Sequence, residues 1–423
     1  MPFGFPQSKG GKRQRLALPF ALACLILPCV GSAAVAGPVD NGSYLLYENR
    51  EYSPALGGPS ENLLDIYTPR NHAAGPRPIA IWVHGGGWFQ GSKVNVVKAK
   101  ARAFVRRGFI FASVNYRRSP GVGTALSYAP QRVRHPAAVN DVARAVAWLD
   151  GRARRFGGDP RRVILLGHSA GAQIVSLLGT NPRFIRNAGM DPERIRGVIA
   201  LDPVGLDLDR IASEPGGSRE GTRSTYQTMV WNAFAAPWEA DFEKIIRAAS
   251  PLTHADRQDP PFFIVASARV KARADEARQM ARKLGQLPGL ANWDVNLGHR
   301  AINHDFGHAR LDRNVTARAF RFARWVSSRH QARIVVRGRK AFRLPGGRNL
   351  ARVHLRVRVR PGNALAICRI DSEAAVNCAS GLRVAAGEGQ HLLKARLIDP
   401  AGRPGPTAAF RFKVLPAAST WHR

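Results

Sequence analysis

One short segment, VILLGHSAGAQI at residues 163–174, constrains the fold of this chain more than any other. Its apolar first half predicts a buried strand, its second half predicts a helix, and Ser169 lies at the turn between them. Gly167 and Gly171 stand two residues to either side, where a sharp turn leaves room only for small residues. The turn exposes the serine hydroxyl, and the N–H of Ala170 points to the same place. The segment therefore predicts an α/β fold with a nucleophilic Ser169; a helix-capping serine in a glycine turn is the alternative.

A second glycine-rich segment, HGGGW at residues 84–88, directly follows another predicted strand. Three consecutive glycines let the backbone approach a substrate and point several N–H groups at one oxygen atom. We expect the N–H groups of Gly86, Gly87 and Ala170 to form an oxyanion hole beside Ser169. A plain glycine loop is the alternative, and the strand–serine–helix turn downstream argues against it.

Strands and helices alternate from about Ser43 to Ser328, which predicts a mainly parallel sheet covered by helices on both faces, in an α/β domain at residues 43–328. A longer stretch at about 204–258 separates two of the predicted strands, in a place suited to a cap over a pocket. Five bulky side chains are expected to line an acyl pocket, or else, where they belong to the insertion, to form its own small core. They are Trp88, Met229, Trp231, Phe234 and Trp238.

The helical period disappears after Ser328, and apolar residues then alternate with arginines at a period of two. Segments such as ARVHLRVRVR, with Gly and Pro turns between them, predict a small antiparallel β-sandwich domain at residues 333–416. Its cationic face is either simply solvated or the contact for an anionic envelope surface. The arginines that alternate along this strand are Arg352, Arg356, Arg358 and Arg360.

Residues 1–36 have the pattern of a signal peptide. A basic start precedes the apolar stretch LALPFALACLILPCV, and the small residues SAAVAG allow cleavage after Ala36. The apolar stretch is short for a membrane span, so we expect no stable span after cleavage; an uncleaved anchor is the alternative. The sequence therefore predicts a secreted or periplasmic protein.

Export changes what the four cysteines imply. Cys24 and Cys29 would leave with the signal peptide, whereas Cys368 and Cys378 stay in a strand-rich region. Two cysteines at this spacing in an oxidising compartment predict one disulfide that closes a hairpin. They are too few for a metal site, and we expect neither a metal nor a cofactor.

The chain carries 64 Lys and Arg against 29 acidic residues, a formal net charge of +35, and the predicted signal peptide holds four of the basic residues. A protein with such a charge is attracted to anionic surfaces. The excess arginines, however, are spread over helices and strands, with no long basic run, no interleaved aromatic residues and no recognisable nucleic-acid-binding module. The composition therefore predicts no nucleic-acid partner.

Several segments together resemble the α/β-hydrolase superfamily, specifically its HGGG-bearing carboxylesterase and feruloyl/acetyl-xylan esterase-like branch; they are HGGGW, NYR, GGDPRRVILLGHSAGA, SPLTHADRQDPPFFIV and GHRAINHDFG. The resemblance covers about residues 60–328 and implies the α/β-hydrolase fold. It also implies serine esterase or amidase chemistry on uncharged acyl groups. Asn115 departs from the Asp that the branch usually carries there, which is a structural difference rather than a catalytic one.

The general base should follow the last core strand, in the chain order serine, acid, histidine. His299 follows the predicted strand WDVNL and matches the position of the histidine in the resembled branch. His304 and His308 are rivals for this role. Because two ligands without a third make no zinc site, we expect them at the surface or the pocket rim.

The sequence leaves the acid of the site open. The resembled branch carries its aspartate about two residues after the strand PFFIVAS, and Arg269 occupies that place here. Asp275 lies further on, at the start of a predicted helix where acids favour the helix dipole. Asp202 follows the earlier strand GVIAL and precedes a proline, as in some lipases of the superfamily, and it is our first choice. A site without any acid is the third alternative.

The segment at about 333–416 resembles an immunoglobulin-like module of bacterial extracellular proteins. By analogy alone, the module implies a spacer or a surface-binding domain. The residues that match the module are Cys368, Asp371, Cys378, His391, Asp399 and Gly402.

Together these features predict an exported serine carboxylesterase that acts on a small-molecule or polysaccharide-linked acyl ester. Arg269 favours a different interpretation, a hydrolase-fold binding module at the cell envelope that has lost its acid. The presence of Ser169, His299 and the glycine loop argues for an enzyme instead. An arylformamidase is a further alternative, against which the predicted export argues.

Overall fold

The computed structural model describes most of the chain after Ala36. The predicted signal peptide, with Cys24 and Cys29, lies outside the described residues, and so do Asp399 and Gly402 of the C-terminal motif. The described ranges are 37–54, 60–71, 75–213, 225–286, 292–308, 313–328, 333–345, 348–360, 365–371, 373, 376–378, 381–398 and 404–417.

Nine strands form the main sheet. They are β1 (Val39–Asp40), β2 (Leu45–Glu51), β3 (Leu63–Thr68), β4 (Arg77–Val83), β5 (Ile110–Val114), β6 (Gly158–His168), β7 (Ile195–Leu201), β8 (Phe262–Ser267) and β9 (Asn292–Val295). Their order in the sheet is β1-β2-β3-β5-β4-β6-β7-β8-β9. The pairs from β5 to β9 are parallel, and β1, β2 and β3 form an antiparallel edge. The predicted mainly parallel sheet is therefore confirmed.

Eleven helices lie among the described residues of this part of the chain, besides two single 3₁₀ turns at Ala153–Phe156 and Pro192–Arg194. In the described ranges, each helix is too short or too polar to traverse a bilayer. The helices are α1 (Lys98–Arg106), α2 (Ala137–Arg152), α3 (Ala170–Thr180), α4 (Arg183–Asn187), α5 (Leu208–Ala212), α6 (Thr225–Ala233), α7 (Phe242–Ala249), α8 (Pro251–His254), α9 (Lys271–Lys283), α10 (His299–Asp305) and α11 (Arg313–Val326).

Two hydrophobic cores lie on opposite faces of the main sheet. Successive side chains of a strand point to opposite faces, so in β4 Ile81 enters one core and Trp82 enters the other. The first core also contains the apolar face of α2, including Val142, whereas the second contains Phe104 of α1 and Phe322 of α11. The near-continuous apolar runs of the central strands follow from this burial on both faces.

The C-terminal part of the chain forms two smaller sheets around a third core. Their strands are β10 (Arg333–Arg337), β11 (Ala341–Arg343), β12 (Ala351–Arg360), β13 (Leu365–Ile370), β14 (Val376–Asn377), β15 (Leu382–Ala386), β16 (Gly389–Ile398) and β17 (Pro404–Leu415). One sheet has the order β10-β12-β15, and the other has the order β11-β17-β16-β13-β14.

Pairing in these sheets is antiparallel, as expected, except that β11 pairs with β17 in parallel. A parallel pair needs a long connection, and nearly the whole of this region separates the two strands. The immunoglobulin-like assignment and the domain boundaries stay predictions. The structure contains the expected disulfide between Cys368 and Cys378, whose Cα atoms are 5.8 Å apart, and both cysteines are buried.

Candidate active site

Ser169 lies at the tight turn between β6 and α3. Its φ of 55° and ψ of −122° place it in a region that L-residues seldom adopt. The strained backbone is held by a hydrogen bond from its N–H to the carbonyl of Leu201, at 3.0 Å. A Cβ at Gly167 would collide with the backbone of Gly171, and one at Gly171 would collide with the carbonyl of Val83. Close backbone packing therefore requires glycine at both positions that flank Ser169.

A cavity of about 520 Å³ opens over this turn, of a size typical for small-ligand sites. It brings together Ser169, His299, Gly86, Gly87 and Ala170, the five residues that the sequence assigned to nucleophile, base and oxyanion hole. The remaining residues around the cavity include Trp82, Trp88, Val204, Tyr226, Met229 and Arg300.

The expected acyl-pocket aromatics do not all reach the cavity. Trp88 and Met229 line it, whereas Trp231, Phe234 and Trp238 do not. Trp231 is buried and donates from Nε1 to the carbonyl of Ala212 at 3.0 Å, and Phe234 packs edge-on behind Trp88. Trp238 contacts Trp231 and is 58% exposed. Of the two alternatives, lining the acyl pocket is therefore wrong for these three, which pack within the insertion and against its neighbours.

The glycine loop folds back on itself beside Ser169. The carbonyl of Gly86 accepts hydrogen bonds from the N–H groups of Phe89 and Gln90, and the φ angles of Gly86 and Gly87 are 125° and 57°. A Cβ at Gly86 would collide with the carbonyl of Gln90, so no other residue fits there. Ala170 is the first residue of α3, and its N–H has no acceptor within the helix.

His84, at the start of the glycine loop, is a structural residue. Burial lowers its pKa to about 4, so the ring is neutral, and Nδ1–H donates to the carbonyl of Gly85 at 2.8 Å. The ring stacks on Tyr116 at 4.4 Å, and the Tyr116 hydroxyl donates to the His84 carbonyl at 3.2 Å. These contacts fix the loop where it enters the cavity.

His299 is the first residue of α10, and its Nδ1 lies 2.5 Å from Oδ2 of Asp202. Asp202 directly follows β7, with a φ of 42° and no exposed surface. The N–H of Ser267 donates to Oδ1 of Asp202 at 2.8 Å. Burial alone would raise the pKa of Asp202, but the hydrogen bond from His299 and the charge of Arg273 outweigh it and hold the pKa below its ordinary value.

Sequence reasoning missed Arg273, which reaches the same carboxylate from α9. Its Nη1 donates to Oδ2 of Asp202 at 2.6 Å and lies 3.0 Å from Nδ1 of His299. The side chain is buried. One signal was available: helical spacing places Arg273 on the same face as Ala277 and Met280, which are both buried.

The other acid candidate lies elsewhere. Asp275 pairs with Arg278 at 2.7 Å, and its side chain is 45% exposed. Arg269, in the place of the usual aspartate, is exposed and donates to the side-chain oxygen and the carbonyl of Asn296. Of the alternatives that the sequence left open, the structure therefore brings Asp202 to His299.

Two further cationic or titratable residues fix α10. His168 donates from Nε2 to the carbonyl of His299 at 3.0 Å, and burial, with the neighbouring His299, lowers its pKa to about 3. Lys100 donates to the carbonyls of Val96 and Asn303 at 2.8 and 2.6 Å, and burial lowers its pKa to about 7. The helix that begins at His299 is thus held from β6 and from α1.

The remaining histidines of the motif lie at the far end of α10. His304 and His308 stack their rings at 5.7 Å, and the side chain of His304 is 68% exposed. Within the described ranges, no group of three or more His, Cys, Asp or Glu is placed to hold a metal ion. Asn115 has a structural place, since its Oδ1 accepts the N–H of Lys93 and its Nδ2 donates to the Ser60 carbonyl.

Comparisons with known proteins agree with this architecture. The BD-FAE family model matches residues 64–276. The chain is 35% identical over 140 residues to the fumonisin B1 esterase of Sphingopyxis macrogoltabida, which is 31% of this chain and 25% of that protein. It is 28% identical over 218 residues to esterase LipQ of Mycobacterium tuberculosis, 49% of this chain and 46% of that protein. The chain thus spans between a quarter and about half the length of these curated relatives.

Among solved structures, esterase B from Lactobacillus rhamnosis superposes with a TM-score of 0.51 and 15% identity, covering 69% of this chain and 88% of that one, which supports the fold alone. The family model spans half of the chain and includes Ser169, Asp202 and both glycine segments. This protein therefore belongs to the BD-FAE family of α/β-hydrolase esterases.

Proposed function

We propose that this protein is a serine carboxylesterase that hydrolyses esters of uncharged acyl groups. One observation carries the proposal: Ser169, His299 and the glycine loop line a single cavity, and Asp202 lies 2.5 Å from Nδ1 of that histidine. Nucleophile, base, orienting acid and oxyanion donors are the four parts that acyl transfer by serine requires.

The proton positions follow from the contacts. A distance of 2.5 Å between Asp202 Oδ2 and His299 Nδ1 requires a proton between them, because two lone pairs repel each other. Nδ1–H therefore donates to the carboxylate, and Nε2 is the ring nitrogen left to take the proton of Ser169. Asp202 thus fixes the tautomer in which His299 acts as a general base.

The reaction then proceeds in two halves. Ser169 Oγ bonds to the ester carbonyl carbon while His299 takes its proton, and the carbonyl oxygen becomes an oxyanion facing the N–H groups of Gly86, Gly87 and Ala170. His299 returns the proton to the departing alkoxide, which leaves an acyl-serine. Water, deprotonated by His299, attacks this ester in the same way and releases the acid.

The walls of the cavity favour a neutral acyl group. Trp88, Met229 and Val204 supply apolar surface, and no carboxylate that would attract a cation is found among the described residues that line the cavity. Arg300 also lines the cavity, but its side chain is exposed, so water screens its charge. A volume of about 520 Å³ suits a short acyl chain with part of its alcohol. The substrate is accordingly a small ester or an acyl group linked to a polysaccharide.

Covalent labelling tests the proposal directly. An alkyl phosphonofluoridate should react once per chain, because Ser169 Oγ displaces fluoride and remains bonded to phosphorus. Hydrolysis of p-nitrophenyl acetate should fall in proportion to the labelled fraction, and peptide mass spectrometry should locate the adduct on Ser169. Hydrolysis that survives complete labelling, or an adduct on another residue, would contradict Ser169 as the nucleophile. Absence of both labelling and hydrolysis would favour the binding-module interpretation.

We further propose that the protein is exported after cleavage at Ala36. We also propose that it contacts an anionic envelope polysaccharide through the outer face of the β10-β12-β15 sheet. No acidic residue occurs in these three strands. Arg337 stands opposite Arg356 across the strands, and Arg383 stands opposite His354, all with exposed side chains. The Arg337–Arg356 pair places like charges directly opposite each other, which destabilises a sheet, and a polyanion relieves that repulsion.

A charge-matched pair of variants tests this contact in the full chain. Arg352, Arg356 and Arg358, exposed on β12, are changed to Gln in one variant. The control changes Arg154, Arg183 and Arg186, exposed in the α/β part of the chain, and removes the same charge. Cosedimentation with polygalacturonate should weaken about tenfold in the first variant and little in the control. Equal losses in both would reduce the effect to net charge and contradict a specific face.

A further inference from the structure

We propose that Arg273 is a positioning residue that sets the acid limit of the reaction by sharing Asp202 with His299. The inference rests on the proposed function and assigns a role to a residue outside the nucleophile, base and acid. Its geometrical basis is that Nη1 of Arg273 lies 2.6 Å from Oδ2 of Asp202 and 3.0 Å from Nδ1 of His299.

The carboxylate of Asp202 is fully engaged. Oδ1 accepts from the N–H of Ser267, while Oδ2 accepts from both His299 and Arg273. Since Nδ1 of His299 and Nη1 of Arg273 both carry protons, their 3.0 Å separation is not a hydrogen bond. It is a close approach of a permanent positive charge to the imidazole ring.

The charge of Arg273 affects the stability of the imidazolium form of His299. In the reaction the imidazole becomes an imidazolium, which the negative charge of Asp202 stabilises. Arg273 offsets that negative charge from a buried position, where screening by water is weak. Removing the guanidinium would therefore let Asp202 stabilise the imidazolium more strongly, and the carboxylate would lose one of its donors.

The ring of Tyr226 packs against the guanidinium of Arg273. Cζ of Arg273 lies 5.1 Å from the centroid of the Tyr226 ring, a cation–π contact. Tyr226 lines the cavity and is 41% exposed, so its ring lies near the route by which substrate enters. Arg273 is therefore placed behind the reacting groups rather than among those that contact substrate.

Other charged and titratable groups face His299 from each neighbouring element, and they do not explain an acid limit. His168 on β6 stays neutral because burial lowers its pKa to about 3. Lys100 on α1, whose pKa burial lowers to about 7, titrates across neutral pH, and it is unchanged in every variant used below. Arg300, Arg269 and Asp305 are unchanged in every variant used below, so their influence cancels in the comparison.

The experiment measures kcat/KM for p-nitrophenyl acetate against pH in the full chain and in four variants. Arg273→Met and Arg273→Gln remove the charge, and the glutamine keeps a donor for Asp202. Arg273→Lys keeps the charge. Arg278→Met, on the same helix but in a partly exposed pair with Asp275, is the control. The midpoint of the acid limb should rise by about one pH unit in the Met and Gln variants and stay near wild type in the Lys and control variants.

If Arg273 had a merely structural role, its variants would show a lower plateau of kcat/KM with an unshifted acid limb, or equal shifts in the Lys and Met variants. Either result would overturn the proposal. Titration of the His299 ring nitrogens by ¹⁵N NMR in the full chain reports the same shift without turnover. Absence of Ser169-dependent turnover in the wild type would overturn the esterase function instead, and the NMR midpoint would still decide the role of Arg273.

Discussion

Changing Ser169 to Ala is expected to lower kcat for p-nitrophenyl acetate by about 10⁴-fold or more, because no other Ser or Thr occurs among the described residues that line the cavity. The fold should be unaffected. Ser169 supports the turn through its backbone, whose N–H donates to Leu201 and whose carbonyl accepts from Ala172 and Gln173. Alanine preserves all of these bonds. Steady-state hydrolysis and the urea midpoint of unfolding, measured on the same preparation, check both expectations.

The matched control for this prediction is Ser176→Ala. Ser176 lies on the same helix, α3, and is completely buried, but it does not line the cavity. Its replacement should leave kcat within about twofold of the wild-type value, because the substitution removes only one hydroxyl group away from the cavity. Turnover that persists in the Ser169 variant, or an equal loss in the control, would remove the basis for a serine nucleophile.

The parts of the site that could be predicted are those that depend on residues close together in the chain. The turn around Ser169 needs small residues at fixed offsets, so Gly167 and Gly171 predict it from the neighbouring sequence alone. The HGGG segment is also local, and its position after a strand is enough to place it at the carboxyl edge of a parallel sheet. The sheet itself follows from the alternation of apolar strands and amphipathic helices.

Contacts between distant residues could not be predicted in this way. Asp202 and His299 are separated by 97 positions, and they meet because β7, β8 and β9 are consecutive neighbours in the sheet. Asp202 was preferred to Asp275 on a local pattern, an aspartate between a strand and a proline, but that pattern left both candidates open. The contact itself depends on the strand order and on the strained backbone after β7. Arg273 was missed for the same reason, since its partner lies 71 positions away. Trp231, Phe234 and Trp238 are a related case, because composition alone does not say which face of an insertion reaches a cavity.

Changing Asp202 to Asn is expected to lower kcat for p-nitrophenyl acetate by about 10³- to 10⁴-fold, the size of effect seen when the tautomer of a catalytic histidine is reversed. An amide can present its NH₂ group to Nδ1, which then must accept a hydrogen bond, and Nε2 becomes protonated and unable to take the proton of Ser169. The variant also leaves Arg273 buried without its counter-charge. A loss of about 3–5 kcal/mol in the free energy of unfolding should accompany the kinetic effect.

Asp275→Asn is the matched comparison, because it makes the same chemical change at the other aspartate that the sequence proposed. Its side chain is 45% exposed and pairs with Arg278, away from His299. Turnover and the urea midpoint should therefore both stay at wild-type values. If the Asp275 variant lost activity while the Asp202 variant kept it, the acid would lie on α9 and His299 would have to move to meet it. If both variants kept full activity, the third alternative would hold, in which Ser169 and His299 act without an acid. A large loss confined to the Asp202 variant is the outcome that follows from a carboxylate 2.5 Å from Nδ1.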